Sequence, residues 1–138
     1  MTTRTAACHC GQLRLSCEDP PRKISMCHCA DCKRRTGSAF GVAVLYPREQ
    51  VRATDGVAQQ WQRSSVSGFP VTFYFCGTCG ANVYWEPARL PHLIGVAMGA
   101  FADPDFSVPE QSVATAEKHR WVVLPDDVLQ FADYPPPK

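Results

Sequence analysis

The grouping of eight cysteines constrains the fold of this 138-residue chain more than any other feature. Seven of them fall in three short motifs, whereas Cys17 stands alone. In a reducing compartment, clustered cysteines are more often metal ligands or catalytic thiols than disulfides. The sequence therefore indicates metal binding before any spacing is examined. The three motifs are Cys8-His9-Cys10-Gly11, Cys27-His28-Cys29-Ala30-Asp31-Cys32 and Cys76-Gly77-Thr78-Cys79-Gly80.

The N-terminal residues and the overall charge predict the compartment and exclude some partners. Residues 1–5 are polar and no secretory apolar segment follows them, so we expect a cytoplasmic protein with reduced thiols. No apolar run approaches the roughly 18 residues of a membrane span, so no membrane partner is expected. The 14 basic and 13 acidic side chains leave a net charge of +1, which creates no field that would recruit nucleic acid. The sequence gives no indication of the oligomeric state.

Short runs of β-branched and aromatic residues, separated by Gly, Pro, Asp or Ser, predict a mainly β fold with very little helix. The one candidate helix runs from Ala30 to Arg35 and should end at Gly37, and a further helical turn is possible at 126–129. Strands are expected near Gln12–Cys17, Phe40–Tyr46, Gln59–Gln62, Val71–Phe75, Asn82–Trp85, His92–Met98 and Arg120–Leu124.

The length fits a single domain, because a chain of this size can bury one core. No linker divides the sequence, so we expect one domain over residues 1–131. Residues 132–138 are predicted to form a Pro-rich C-terminal tail, which contains three consecutive prolines at 135–137, and its last residues are expected to be disordered.

Two of the cysteine motifs are predicted to share one zinc ion. A structural zinc needs four ligands, and a single short cluster cannot supply four without strain. Cys76 and Cys79 have the spacing of a zinc-ribbon knuckle and provide two thiolates. Cys8 and Cys10, with Gly11 behind them, form a tighter turn and provide two more. The four thiolates would close a structural site that ties distant parts of the chain together.

The middle motif is predicted to hold a second zinc ion that keeps an open position. Cys27, Cys29 and Cys32 supply three thiolates within six residues. A zinc ion with three protein ligands retains a fourth position for water or a substrate atom. The alternative is a redox-active or merely buried set of thiols. We therefore expect two Zn²⁺ ions per chain, with the chemistry at the second.

The remaining cysteine and the histidines between the ligands are assigned structural roles. Cys17 continues the alternation of Leu13 and Leu15, so it is interpreted as a small core residue and not as a ligand. His9 and His28 are expected to point away from the metal ions, with the alternative that His28 completes the second site.

These motifs resemble the glutathione-dependent formaldehyde-activating enzyme family, which includes the related centromere protein V domain. The resemblance spans about residues 5–131 and continues beyond the metal motifs. It is carried by Cys8-His-Cys-Gly, Cys27-His-Cys-Ala-Asp-Cys-Lys-Arg-Arg-Thr-Gly-Ser-Ala-Phe, Phe75-Cys-Gly-Thr-Cys-Gly-Ala, Leu93-Ile-Gly-Val-Ala-Met-Gly-Ala-Phe-Ala-Asp-Pro and His119-Arg-Trp-Val.

The resemblance implies an antiparallel β fold of the zinc-stapled "tent" type with a catalytic zinc beside a cleft. It also implies a carbon–sulfur lyase reaction, the reversible condensation of glutathione with formaldehyde to S-hydroxymethylglutathione. The ligands implied for the structural zinc are Cys8, Cys10, Cys76 and Cys79, and those implied for the catalytic zinc are Cys27, Cys29 and Cys32.

The basic run after the last ligand is the candidate for binding the substrate. Glutathione carries two carboxylates, so a productive site should present cationic donors beyond the metal. Lys33, Arg34 and Arg35 directly follow Cys32, and we predict Arg34 and Arg35 as substrate contacts. The alternative for both arginines is a solvated helix face.

A function from a different class also fits the motifs. The same fold occurs in a chaperone-like partner of small GTPases, so the chain could be a non-catalytic zinc-binding module for protein interaction. A lyase requires an open position at the second zinc, whereas such a module predicts a closed second site or none. The complete middle motif favours the lyase.

Overall fold

The fold consists of β-strands in two sheets with one α-helix, in a computed structural model that describes residues 2–64 and 68–135. The prediction of a mainly β fold with very little helix is confirmed. No helix within these residues is long and apolar enough to cross a membrane. The helix α1 spans Ala30–Thr36, and short 3₁₀ helices span Arg48–Gln50, Met98–Phe101 and Thr115–Glu117. The strands are β1 (Thr3–Ala7), β2 (Arg14–Glu18), β3 (Lys23–Cys27), β4 (Gly41–Pro47), β5 (Val51–Asp55), β6 (Ala58–Ser64), β7 (Pro70–Cys76), β8 (Asn82–Pro87), β9 (Leu93–Ala97), β10 (Gln111–Val113) and β11 (Leu129–Gln130).

The two sheets differ in size. The smaller sheet has the strand order β1-β2-β5, and the larger has the order β11-β10-β3-β4-β9-β8-β7-β6. Neighbouring strands are antiparallel except at β10, which runs parallel to both β3 and β11. The predicted antiparallel sheets therefore include one short parallel segment near the C-terminus.

One face of the larger sheet packs against the smaller sheet to form the core. Successive side chains of a strand point to opposite faces, so Ile24 and Val44 lie on the core face while their neighbours do not. Both are fully or almost fully buried in one cluster with Leu15 and Cys17 of β2. Cys17 is a core residue, as its alternation predicts. The other face of the larger sheet is left to form a cleft.

Several strand predictions are confirmed, and five strands were not predicted. The runs assigned near β2, β4, β6, β7, β8 and β9 form strands with boundaries shifted by a few residues. The helix from Ala30 is also confirmed, and it ends where Gly37 takes up a left-handed conformation with a φ of +63°. Strands β1, β3, β5, β10 and β11 have no counterpart among the predicted strands.

The predicted strand at Arg120–Leu124 is wrong. Arg120 and Trp121 form a turn, in which the N–H of Val122 donates to the carbonyl of His119 at 3.1 Å, and the following residues are irregular. The side chains do alternate, because Val122 is buried while Trp121 is 71% exposed. No strand of the described chain pairs with residues 120–124, so they do not form a strand although their burial alternates.

The predicted helical turn at 126–129 is also wrong, because these residues form a turn and the start of a strand. Asp126 and Asp127 form a turn closed by the N–H of Val128, which donates to the carbonyl of Pro125 at 3.1 Å. Leu129 then begins β11.

The segment after β11 runs along β10. The N–H of Phe131 donates to the carbonyl of Ser112, and the N–H of Ala114 donates to the carbonyl of Asp133. The domain boundary at residue 131 stays a prediction, and residues 136–138 of the predicted tail lie outside the described part of the chain.

Candidate metal centres

The first and third cysteine motifs meet in space. The Sγ atoms of Cys8, Cys10, Cys76 and Cys79 all lie within 4.8 Å of one another. Cys10 lies 3.7 Å from Cys8 and 3.7 Å from Cys76, measured between Sγ atoms. Four thiolates placed tetrahedrally about 2.3 Å from a zinc ion would lie about 3.8 Å apart. The four cysteines could therefore hold one tetrahedral metal ion.

Each pair of cysteines is presented by a tight turn that ends in a glycine. Gly11 has a φ of +84° and its N–H donates to the carbonyl of Cys8. Gly80 has a φ of +78° and its N–H donates to the carbonyl of Cys76. This left-handed conformation costs a glycine little and strains other residues, which explains the glycine behind each pair.

Hydrogen-bond donors surround the Cys76 sulfur. The N–H groups of Thr78 and Cys79 point at its Sγ atom at 3.3 and 3.4 Å, and the side-chain amide of Gln12 donates to it at 3.1 Å. The Cys79 N–H and then the Gln12 amide lower the pKa of Cys76 to about 5. The thiolate, which is the form that binds metal, is therefore favoured at neutral pH.

The middle motif forms a second cluster of three sulfurs. The Sγ atoms of Cys27, Cys29 and Cys32 lie within 4.8 Å of one another. Cys27 ends β3, Cys29 is the N-cap of α1, and Cys32 lies in the first turn of that helix. The backbone N–H of Cys32 donates to the Sγ atom of Cys29 at 3.3 Å, as expected for a capping side chain. Hydrogen bonds from Cys27 and then from Cys32 lower the pKa of Cys29.

The three sulfurs could hold a metal ion that lacks a fourth protein ligand. Among the described residues, no further Cys, His, Asp or Glu belongs to this cluster. Cys29 is buried, whereas Cys27 and Cys32 are half-buried and line a cleft together with it. A three-sulfur donor set beside a cleft therefore matches a metal with one exchangeable position.

The two histidines of the motifs lie outside the clusters. His28 is fully buried, and its Nε2 atom lies 2.7 Å from the Oγ atom of Ser112 on β10. Its Nδ1 atom is buried and has no hydrogen-bond partner among the described residues. His9 is exposed. This contact links the residue that follows β3 to β10, which fits the structural role expected of His28.

A cleft of about 290 Å³ opens on the face of the larger sheet that carries Cys27. Lys23, Ser25 and Cys27 line it because they are alternate residues on one face of β3. Most of the remaining wall is apolar and comes from β4, β7, β8 and β9. These wall residues include Ala43, Leu45, Val71, Phe73, Trp85 and Leu93.

Positive charge predominates around the cleft. Five of its described lining side chains are cationic and one, that of Asp31, is a carboxylate. The carboxylate of Asp31 is engaged by Arg63 at 3.2 Å. The cleft therefore suits an anionic ligand. The cationic residues are Arg22, Lys23, Arg35, Arg63 and Arg89.

The structure separates the two arginines that were predicted as substrate contacts. Arg35 lines the cleft, where its Nη1 atom donates to the Oδ1 atom of Asn82 at 2.7 Å. Its guanidinium lies 4.3 Å from the ring centroid of Trp85, which is cation–π distance. Arg34 is exposed and is absent from the described lining of the cleft.

Tyr134 approaches the second cluster, a contact that was not predicted from the sequence. Its hydroxyl lies 3.5 Å from the Sγ atom of Cys27, and its side chain lines the cleft. Burial and the neighbouring cysteines raise the pKa of this hydroxyl. The only signal was a tyrosine beside the terminal prolines, which does not specify a contact with a motif 107 residues earlier.

Comparison with known proteins identifies the family. The model of the family described as glutathione-dependent formaldehyde-activating enzyme matches residues 3–121. The chain belongs to this family. A search of curated proteins found no match.

A solved structure supports the fold of this family member. The crystal structure of a Rhodobacter sphaeroides protein, a structural genomics target, superposes with a TM-score of 0.58 at 20% sequence identity. The alignment covers 92% of this chain and 98% of that protein. At this identity the likeness shows a shared fold alone.

Proposed function

We propose that the protein is a zinc-dependent carbon–sulfur lyase that forms and cleaves the adduct of a small thiol, such as glutathione, with formaldehyde. The observation that carries this proposal is the cluster of Cys27, Cys29 and Cys32 at the wall of a cationic cleft. Membership of a family named for glutathione and formaldehyde supports it. We also propose that the protein acts in the cytoplasm, where thiols are kept reduced.

Two zinc ions per chain are part of the proposal, with different roles. The set Cys8, Cys10, Cys76 and Cys79 provides four thiolates, which fill the coordination of a structural zinc. The set Cys27, Cys29 and Cys32 leaves one position for a substrate atom. When bound there, zinc would favour the thiolate form of a thiol ligand and would polarise a carbonyl oxygen.

The proposed reaction is the reversible addition of a thiol to a carbonyl group. In condensation, the sulfur lone pair forms a bond to the aldehyde carbon, and the carbonyl π pair moves onto oxygen. The thiol loses a proton and the oxygen gains one, so atoms and charge balance. Cleavage reverses each step. The apolar walls at Leu45, Phe73 and Leu93 limit the water that competes for these groups.

The cationic side chains of the cleft are assigned to carboxylates of the thiol. Lys23 lies on the same face of β3 as Cys27, four residues away, which is about 13 Å along an extended strand. Arg35 lies three residues after Cys32 and faces the same cleft. A thiol whose sulfur is near the cysteines can therefore extend its carboxylates toward these cations.

The experiment is metal analysis combined with exchange NMR between glutathione and its formaldehyde adduct at equilibrium. We expect two zinc ions per chain and an exchange rate above that of buffer alone. Cys32→Ser should lose about one zinc and the acceleration. Cys17→Ala is the matched control, because it removes a core cysteine outside both clusters and should keep both properties. Two bound zinc ions without any acceleration would contradict the proposed function.

A further inference from the structure

Tyr134 places a hydroxyl beside the second cysteine cluster, in the wall of the cleft. Its Oη atom lies 3.5 Å from the Sγ atom of Cys27 and faces the cleft. Tyr134 lies beyond residues 3–121, which are the part matched by the family model. Its contribution is therefore not part of the motifs by which the family is identified.

The segment that carries this hydroxyl is fixed on both sides. Before it, the N–H of Ala114 donates to the carbonyl of Asp133 at 3.2 Å, and the N–H of Ala116 donates to the carbonyl of Ala132 at 3.3 Å. After it, the Nη2 atom of Arg89 donates to the carbonyl of Pro135 at 2.7 Å. In all three hydrogen bonds the acceptor is a backbone carbonyl of this segment. They therefore hold the ring of Tyr134 in place with or without its hydroxyl.

The Tyr134 hydroxyl differs from the other polar groups near the cluster in its partners. Arg35 donates to Asn82, and Asp31 pairs with Arg63. Tyr134 has sulfur atoms as its partners among the described residues, those of Cys27, at 3.5 Å, and of Cys29. Sulfur is a weak acceptor, so the hydroxyl can turn toward an oxygen that is bound beside Cys27.

We propose that Tyr134 is a catalytic residue whose hydroxyl donates a hydrogen bond to the aldehyde-derived oxygen of the thiol adduct. This inference rests on the proposed function. When the carbon–sulfur bond forms, the carbonyl π pair moves to that oxygen, and the hydrogen bond stabilises the developing charge. Tyr134 keeps its own proton, and the oxygen takes up from water the equivalent of the proton that the thiol releases.

The test is Tyr134→Phe, which keeps the ring and removes only the hydroxyl. We expect kcat/KM for adduct cleavage to fall about 100-fold, as when one donor to an oxyanion is removed. Zinc content should stay at the wild-type value. The Kd for glutathione alone, measured by calorimetry, should also stay unchanged, because glutathione lacks the aldehyde oxygen. Tyr84→Phe is the matched control, since Tyr84 lies outside the cleft, and it should behave as wild type.

Three results would overturn the inference in distinguishable ways. If the wild type does not accelerate exchange, the proposed function fails and the inference fails with it. If the wild type is active and Tyr134→Phe is within twofold of it, only the role of Tyr134 fails. If Tyr134→Phe loses zinc or binds glutathione more weakly, the hydroxyl supports the site and does not contact the reacting oxygen.

Discussion

Arg34 and Arg35 are neighbours in sequence, but their surroundings differ. Successive residues of an α-helix point about 100° apart, so two neighbours seldom face the same cleft. Arg35 faces the cleft and stacks on Trp85, whereas Arg34 is exposed. The proposed substrate contact is therefore Arg35, and the basic run as a whole is not one binding surface.

Arg35→Ala should weaken substrate binding much more than Arg34→Ala. A hydrogen bond to a charged group contributes about 1.5–3 kcal/mol, so loss of the Arg35 contact should raise KM for glutathione about tenfold or more. Arg34→Ala should change KM less than twofold. Steady-state kinetics of both variants at one ionic strength provide the comparison. Equal effects of the two substitutions would contradict the assignment of Arg35.

The two cysteine clusters could be predicted from the sequence because each motif is local. The spacing of Cys76 and Cys79, with Gly80 behind them, already specifies a turn that aims two thiolates at one point. The rest of the site could not be predicted, because it is assembled from segments far apart in sequence that only the folded sheet brings together. These unpredicted contributions come from Arg22, Lys23, Arg63, Arg89 and Tyr134.

Among the elements, helix α1 depends on a cysteine that also belongs to the second cysteine cluster. Cys29 is the N-cap, and its Sγ atom accepts a hydrogen bond from the N–H of Cys32 at 3.3 Å. A capping side chain satisfies one of the free N–H groups at the start of a helix. The start of α1 and the geometry of the second cluster are therefore coupled.

Substitutions of Cys29 should separate these two roles. Serine is a good N-cap but a poor zinc ligand, so Cys29→Ser should lose about one zinc per chain and keep the helix. Cys29→Ala should lose the same zinc and a further free energy of unfolding of about 1 kcal/mol. Zinc analysis and denaturant unfolding of both variants measure the two effects. Equal stabilities of the serine and alanine variants would contradict the capping role.

The strands that the sequence did not predict are those with weak hydrophobic patterns. Strand β5 contains Val51 and otherwise exposed residues, so it shows no buried face. Strand β3 is central and has three consecutive buried residues, Ile24–Met26, between a half-buried lysine and a cysteine, which is not an alternating pattern. Both pair with strands that are predicted well, β2 and β4. These segments therefore form strands because they pair with neighbouring strands, and the sequence of a single segment does not specify such pairing.

At the scale of the whole molecule, the four-cysteine cluster connects the two sheets. Cys8 and Cys10 lie between β1 and β2 of the smaller sheet. Cys76 ends β7 of the larger sheet, and Cys79 lies in the turn that leads from β7 to β8. The connection joins residues 66 positions apart in sequence, as from Cys10 to Cys76. A metal ion there would offset part of the chain entropy lost in closing so long a loop.

Removal of metal should therefore occur in two stages with different structural consequences. If two zinc ions are bound as proposed, the second, with three protein ligands and an exchangeable position, should leave first under a chelator, because fewer bonds hold it. The first zinc should leave only with cooperative unfolding. A structural zinc contributes on the order of 10 kcal/mol, comparable to the whole net stability of about 5–15 kcal/mol of a domain. Zinc release measured by a chromogenic chelator, alongside far-UV circular dichroism, distinguishes the two stages.

Two variants make this order of release testable within the same chain. Cys29→Ser should show only the later stage, since it lacks the second zinc, and its dichroism should match that of the wild type before that stage. Cys79→Ser should lose the first zinc and most of the β signal, because three remaining thiolates no longer close the connection between the sheets. If Cys79→Ser kept a cooperative β fold with one zinc fewer, both clusters would be peripheral to stability, and the division into a structural and a reactive centre would be wrong.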